Sequence, residues 1–214
     1  MSQADAFGAL EFQTASGVSR ETLARLKLHV GLLADWNARM NLVSAQSLAD
    51  VWRRHVWDSA QLLPFIPNAA TSLVDLGSGA GFPGLVLATL LRERADFRTV
   101  LYESTAKKCR FLETVAERLG LTVEIRNARI EEAVPEPFDV ITARACAPLT
   151  LLLSYGERFR GKATHCLFLK GQSAEAELIE ARHSWTVTAE QHPSQSDPSG
   201  AILDIREYHH VGRR

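Results

Sequence analysis

The chain has 214 residues, 46% of them hydrophobic and 23% charged, with a formal net charge of −1, the make-up of one globular domain or one domain with an appendage. No run approaches the ~18 uninterrupted apolar residues of a membrane span, and the acid-bearing N-terminus lacks the apolar core of a secretory signal. Cys109, Cys146 and Cys166 never fall in CxxC spacing, which excludes a disulfide framework, argues against a zinc ribbon and predicts a reduced, cytoplasmic compartment.

Residues 1–18 lack periodicity and are expected to form a loose start. Ser19 reads as the N-cap of a helix running to about Arg39, with Leu23, Leu26, Val30 and Leu33 at helical spacing. A second helical stretch, about Leu48 to Ser59, carries Val51, His55, Val56 and Trp57, and Pro64, Pro67 and Asn68 then break the chain. Residues 1–70 thus read as a helical N-terminal extension, followed by a domain over 71–214. From Thr71 short apolar runs alternate with helical patterns. Strands are predicted at Ser72–Leu76, Thr99–Glu103, Thr122–Ile125, Asp139–Ala143 and His165–Leu169. Helices are predicted at about Pro83–Arg94, Thr105–Leu119, Pro148–Phe159 and Ala174–His183, with Gly120 as a stop signal for the second. Such alternation implies a parallel sheet covered by helices on both faces. The tail differs, because Ser184–Glu190 and Ile202–His209 read as strands joined through the turn-rich His192–Gly200 without a helix. A Rossmann-like α/β fold whose mostly parallel, seven-stranded sheet ends in a hairpin fits a class I adenosylmethionine-dependent methyltransferase better than a plain dinucleotide fold.

The segment Leu73-Val74-Asp75-Leu76-Gly77-Ser78-Gly79-Ala80-Gly81-Phe82-Pro83-Gly84 runs a buried strand into a glycine cluster. Pro83 stands where the first turn of a helix should begin. Glycines turn the backbone sharply and let a ligand approach without a Cβ in the way. Asp75 is placed at the carboxyl end of the first strand, where open α/β sheets bind ligands. Gly79, Gly81 and Gly84 formally match GxGxxG, but their start is displaced from the strand end. An acid followed by alternating Gly77, Gly79 and Gly81 instead resembles motif I of S-adenosylmethionine enzymes. Glu103 closes the second strand at about the ~20-residue offset where a carboxylate meets ribose hydroxyls.

Some acceptors are disfavoured by what is missing. There is no Asn/Asp/Ser-Pro-Pro-aromatic segment for exocyclic amines, and no Pro-Cys pair follows the fourth strand as a cytosine C5 nucleophile would require. Cys146, two residues before Pro148, reads as a small buried residue.

Further segments follow in order over roughly residues 36–171: Trp36-Asn37 with Asn41-Leu42, Arg54-His55 with Asp58-Ser59, Asp75 through Gly84, Glu103-Ser104 with Lys107-Lys108 and Phe111-Leu112, Thr142-Ala143-Arg144-Ala145, and Leu169-Lys170-Gly171. Together they resemble the RsmG family, also called glucose-inhibited division protein B. These are bacterial enzymes that methylate N7 of a guanosine (position 527, in the 530 loop) of 16S ribosomal RNA. The resemblance implies S-adenosylmethionine as cofactor, held by Asp75, Gly77, Gly79 and Phe82 of the loop. Glu103, Ser104 and Thr105 would line the ribose side, and Ile130 and Glu131 would flank the adenine. Taken alone, Glu131 reads better as a solvated acid beside Glu132 near a helix start. Arg144, ending the fourth strand beside the cofactor, and Lys170, ending the fifth, would be the catalytic cations that grip RNA or the base. The partner would be 16S ribosomal RNA or the 30S subunit, met by a monomer with no membrane association. Two departures stand out: Glu103 occupies a position where many relatives have Asp, and the 173–214 tail carries no family motif.

Guanine N7 is an in-plane lone pair without a proton, so its methylation requires no general base. A cation bonded to N7 would block the nucleophile, and Arg144 or Lys170 should therefore hold O6 or a phosphate. With charges balanced, RNA contact must come from local patches. Candidates are Arg53-Arg54-His55, Lys107-Lys108, Arg158 with Arg160 and Lys162, and Arg213-Arg214, although any single one reads more readily as a solvated face. No metal is expected, since His209 and His210, as strand neighbours, point to opposite faces. Two other readings remain open: a small-molecule methyltransferase, and a non-catalytic RNA- or nucleotide-binding protein with a vestigial pocket. The intact Asp75–Gly84 loop argues against the second.

Overall fold

A computed structural model of the chain describes residues 7–212. The expected loose start instead contains α1 (Ala9–Ser16), closed by Gly17 at φ 67°. Its anchor is Phe12, fully buried with ring centroids 5.6 Å from Trp52 and 6.0 Å from Trp57. One aromatic and a stop glycine make too short a pattern for periodicity to register. α2 (Arg20–Asn37) begins as expected, with the Ser19 hydroxyl accepting the Thr22 N–H at 3.1 Å. The second helical stretch is broken into α3 (Ala45–Ala49), a π-helical segment Trp52–Trp57 and α4 (Asp58–Ala60). Its wider turn changes which residues face inward, and it buries His55 and Val56 together.

The remaining elements alternate: β1 (Ser72–Leu76), α5 (Gly84–Leu90), β2 (Arg98–Glu103), α6 (Ala106–Leu119), β3 (Glu124–Asn127), β4 (Phe138–Arg144), α7 (Leu149–Gly156), β5 (Arg160–Lys170), α8 (Ala174–Ala181), β6 (Trp185–Pro193) and β7 (Ala201–His210). Strand order is β3-β2-β1-β4-β5-β7-β6, with the first five parallel and β7 antiparallel to both of its neighbours. The predicted sheet and terminal hairpin are therefore present. β3 lies two residues later than expected because its pairing starts at Val100↔Glu124. β5 starts earlier, at Arg160, where it pairs with Phe138.

One apolar cluster joins Leu23, Leu26, Leu33 and Val56 of the helical segment to Phe82, Leu85, Phe111, Leu112 and Val115. Burying each such side chain stabilises the fold by roughly 1.5–3 kcal/mol. The N-terminal helices are thereby seated directly over the glycine loop. α7 and α8 pack on the opposite face through Leu149, Leu152, Leu153 and Leu178. Leu76, Glu103, Asn127, Arg144 and Lys170 all end parallel strands at one edge of the sheet, which is where ligands bind in open α/β folds.

Candidate active site

At that edge the loop after β1 turns with Gly77, Gly79 and Gly81 at φ 69°, 56° and 85°, values that side chains disfavour. A Cβ on Gly77 would lie 2.4 Å from Cys146 Sγ, whereas one on Gly79 would meet nothing closer than the Gly77 carbonyl at 3.8 Å. Gly79 therefore faces open space, in the wall of a cavity of about 460 Å³ that Gly77, Phe82, Glu103, Ser104, Ile130, Glu131 and Arg144 also line.

Asp75 and Thr105 stand outside that wall. Asp75 is fully buried, accepting the Gly84 N–H at 3.2 Å and the Thr142 hydroxyl at 2.8 Å. Burial pushes its carboxyl pKa up, against those hydrogen bonds. Its place is behind the loop, tying β1 to the start of α5, rather than against a ligand. Thr105 is the N-cap position of α6 and gives its backbone N–H to Glu103 Oε1 at 2.7 Å. Glu103 Oε2 in turn accepts the Gly79 N–H at 3.1 Å. A carboxylate offers about four acceptor positions; two are used here, which leaves two for vicinal hydroxyls.

Ile130 and Glu131 sit on a 3-10 turn after β3. Glu131 accepts the Tyr155 hydroxyl at 2.8 Å, and its own backbone and that hydroxyl hold the carboxyl below its usual range. Leu42 and Val43 also border the cavity, and both donate their N–H groups to Asn37 Oδ1, at 2.8 and 2.9 Å. That bond accounts physically for the Asn37…Leu42 pattern in the sequence.

Arg144 joins this cavity to a second one of about 710 Å³, lined by His55, Asp58, Lys170 and the β6–β7 turn among others. Its guanidinium lies 5.3 Å from the Phe82 ring centre and donates to the Arg54 carbonyl at 2.8 Å and His55 Nδ1 at 2.7 Å. Asp58 Oδ2 is 3.5 Å away. Burial, then the charges of Arg144 and Arg54, depress the His55 pKa to about 3, so its imidazole is neutral and accepts from Arg144. Phe82 is sandwiched between His55 at 4.9 Å and His29 at 4.8 Å. His29 Nε2 donates to the Ala80 carbonyl at 3.0 Å, and burial lowers the His29 pKa to about 4. Burial also raises the Cys146 thiol to about 11, which leaves it protonated at neutral pH and no nucleophile.

Lys170 is more constrained than the sequence suggested. Its side chain is 6% exposed, and the ammonium donates to the Ala147 carbonyl at 2.8 Å and Glu177 Oε2 at 2.7 Å. It fastens the loop after β4 to α8 and has one N–H left. Arg158 and Arg160 belong elsewhere. Arg158 caps the Ala133 carbonyl at 3.1 Å, and Arg160 binds Tyr208 and Glu157. Arg160 opens β5 opposite Phe138 and Lys170 closes it one residue beyond the partner of Arg144, so the two are about 20 Å apart at ~3.3 Å per residue of the paired β4. Lys162 is exposed at that same far end. Of the first patch, His55 is buried, Arg54 pairs with Asp197 at 3.0 Å, and Arg53 lies over Phe7 at 5.0 Å. Lys107 is exposed, while Lys108 and Arg129 border the first cavity. Arg213 and Arg214 lie outside the described residues.

No motif marks the β6–β7 turn as a site element. There the Ser196 hydroxyl donates to Asp58 Oδ1, Gln61 Nε2 reaches the same oxygen at 2.9 Å, and Trp57 Nε1 donates to the Gln195 carbonyl at 3.3 Å. The unplaced tail therefore braces the acid that faces Arg144.

A family model described as "GidB: rRNA small subunit methyltransferase G" matches residues 22–199. The chain belongs to that family. Two similar members are each named Ribosomal RNA small subunit methyltransferase G. That of Paramagnetospirillum magneticum is 48% identical over 200 residues, covering 94% of this chain and 96% of the relative. That of Caulobacter vibrioides (strain NA1000 / CB15N) is 47% identical over 203 residues, covering 95% and 93%. Among solved structures, the O-methyltransferase from Bacillus cereus in complex with SAH (S-adenosylhomocysteine) superposes with a TM-score of 0.58 at 18% identity, over 84% of this chain and 90% of that one. The fold of this chain is thus that of the class I adenosylmethionine-dependent methyltransferases.

Proposed function

We propose that this chain transfers a methyl group from S-adenosylmethionine to N7 of a guanosine in the 530 loop of 16S ribosomal RNA. Family membership supports the small-subunit RNA and the methyl transfer. The observation that carries the N7 reading is the make-up of the acceptor side. Among the described residues, no group there is poised to take a proton: the His55 ring is neutral with Nδ1 occupied, the Cys146 thiol is protonated, Asp58 is engaged by Arg144, Gln61 and Ser196, and the lining carboxylates Glu177 and Asp197 are paired with Lys170 and Arg54. A lone-pair acceptor fits such a site, and a hydroxyl acceptor would not.

Bound adenosylmethionine supplies an electrophilic methyl carbon on a sulfonium. Gly77, Gly79 and Ser104 would shape its seat, the unused oxygen positions of Glu103 would take the ribose hydroxyls, and Ile130 and Glu131 would border the base. Thr105 and Asp75 would support that seat from behind. Arg144 would be the catalytic residue, using its uncommitted N–H groups on guanine O6 while leaving N7 clear. Lys170 would position the loop that carries Arg144's neighbours. Alignment of nucleophile, carbon and leaving sulfur can supply several kcal/mol of barrier lowering.

Residues 1–70 would act as a helical extension over the 71–214 catalytic domain, and the enzyme would work as a cytoplasmic monomer. No helix among the described residues is long and apolar enough to cross a membrane. The test is incubation with 30S subunits, naked 16S RNA or a metabolite extract and radiolabelled adenosylmethionine. Label in small-subunit RNA supports the reading, and label confined to a metabolite contradicts it.

A further inference from the structure

β5, β7 and β6 bring a second group of chemistry-bearing side chains together, away from both cavities. Leu167 pairs with Asp204 across β5 and β7, and Glu190 pairs with Asp204 across β6 and β7. Strand side chains alternate with a period of two, so His165, Asp204, Glu190 and His192 all project from one face. One ligand atom from each of Glu190, His192 and Asp204 lies within 4.8 Å of the others. His165 Nδ1 adds a fourth, 3.5 Å from Asp204 Oδ1.

Three of these atoms, His165 Nδ1, His192 Nε2 and Asp204 Oδ1, are buried without a hydrogen-bond partner. Asp204 itself is 2% exposed. A buried, unsatisfied carboxylate oxygen is destabilising by about 1–3 kcal/mol, more when charged, and here it faces two equally unsatisfied imidazole nitrogens. Their mutual contacts, 3.5 Å for His165–Asp204 and 3.8 Å for His192–Glu190, are too long for good hydrogen bonds. Arg206 compensates the outer side only, donating to Asp204 Oδ2 at 3.0 Å.

We propose that Glu190, His192 and Asp204, with His165 as fourth donor, form a zinc-class divalent-metal site that cross-links the three C-terminal strands. Two imidazoles with two carboxylates are a borderline N/O donor set that suits zinc rather than calcium or magnesium. A tetrahedral shell at ~2.0–2.2 Å needs ligand atoms roughly 3.4 Å apart, which small side-chain rotations reach from the present spacing. The expectation of no metal rested on His209 and His210, which are different residues. The site would stiffen the hairpin whose turn braces Asp58, and it involves no residue of the methyl-transfer machinery.

The test uses the full chain stripped of metal and titrated with zinc alone against a chromophoric chelator, with thermal melting alongside. One equivalent should bind and raise the melting temperature. His192→Ala and Glu190→Gln should each weaken binding at least tenfold, and a His209→Ala/His210→Ala double variant should leave it unchanged. Cobalt(II) on the unsubstituted chain should give the intense visible absorption of a tetrahedral shell. The proposal is overturned if no equivalent binds, if cobalt shows only a weak octahedral spectrum, or if binding survives His192→Ala and is lost with His209 and His210.

Discussion

Arg144 carries five N–H donors, of which one faces the Arg54 carbonyl, one His55 Nδ1 and one Asp58. Two remain for an acceptor held in the second cavity. Arg144→Ala should therefore slow single-turnover methyl transfer by a factor on the order of a hundred, the effect of losing an orienting contact. Adenosylhomocysteine affinity, measured by calorimetry, should change far less; an equal loss in both would make Arg144 a cofactor residue alone. Gly79→Val should abolish that affinity, because it places a branched side chain in the open cavity at φ 56°. Lys170→Ala should act first on stability: Glu177 is left without its cation but is itself 24% exposed, so the loss should be about 1–3 kcal/mol, and urea unfolding will read it. The placement of Arg144 and Glu103 at the cavity wall was legible because strand ends and glycine loops have fixed places in this fold. The backing role of Asp75 was not, since its partner Thr142 lies on another strand.

Between elements, the β6–β7 turn is tied to the π-helical segment through Trp57 and to α4 through Asp58, each across a sequence separation of 138 residues. Ser196→Ala removes a hydroxyl donor from Asp58. It should raise the KM for RNA several-fold while leaving adenosylhomocysteine binding unchanged, and a shift in cofactor affinity instead would place the turn in the wrong cavity. Strand–helix alternation and α6's apolar face showed the mostly parallel sheet and its terminal hairpin in advance, since both are local patterns, whereas the strand order β3-β2-β1-β4-β5-β7-β6 is a matter of long-range pairing. α1, the π-helical segment and the turn's contacts were hidden for the opposite reason. Each depends on a tertiary partner, Phe12 on Trp52 and Trp57, and Asp58 on Ser196. The basic cluster at Arg158–Lys162 misled because composition does not say at which end of a strand a charge falls.

Over the whole molecule, His29 links acidity to stability. Its pKa falls from the ordinary 6.5 to about 4 on burial, so between those values the unfolded chain binds the extra proton. Stability is then complete above about pH 6.5 and declines as pH falls toward 4, by roughly 1.4 kcal/mol per pH unit. The raised carboxyls of Asp58 and Asp75 act in the opposite sense, but they are common to wild type and variant. His29→Gln keeps a donor for Ala80 and should give a shallower pH dependence of the urea midpoint than wild type; parallel curves would show that the ring does not stay neutral. With a net charge of −1, RNA affinity should rest on a few local contacts and fall with salt at a slope near −0.7 per phosphate neutralised on single strands. A salt-independent affinity would assign binding to stacking and shape.

The most direct test of the central claim locates the methyl group. 16S ribosomal RNA or 30S subunits methylated by this protein are treated with borohydride and then aniline, which cleaves the chain at 7-methylguanosine and spares other guanosines. Cleavage at a single guanosine of the 530 loop, in amount equal to the label transferred, is the predicted result. Label incorporated without a cleavable site would contradict N7 as the acceptor, and with it the reading of a site built for positioning rather than proton removal.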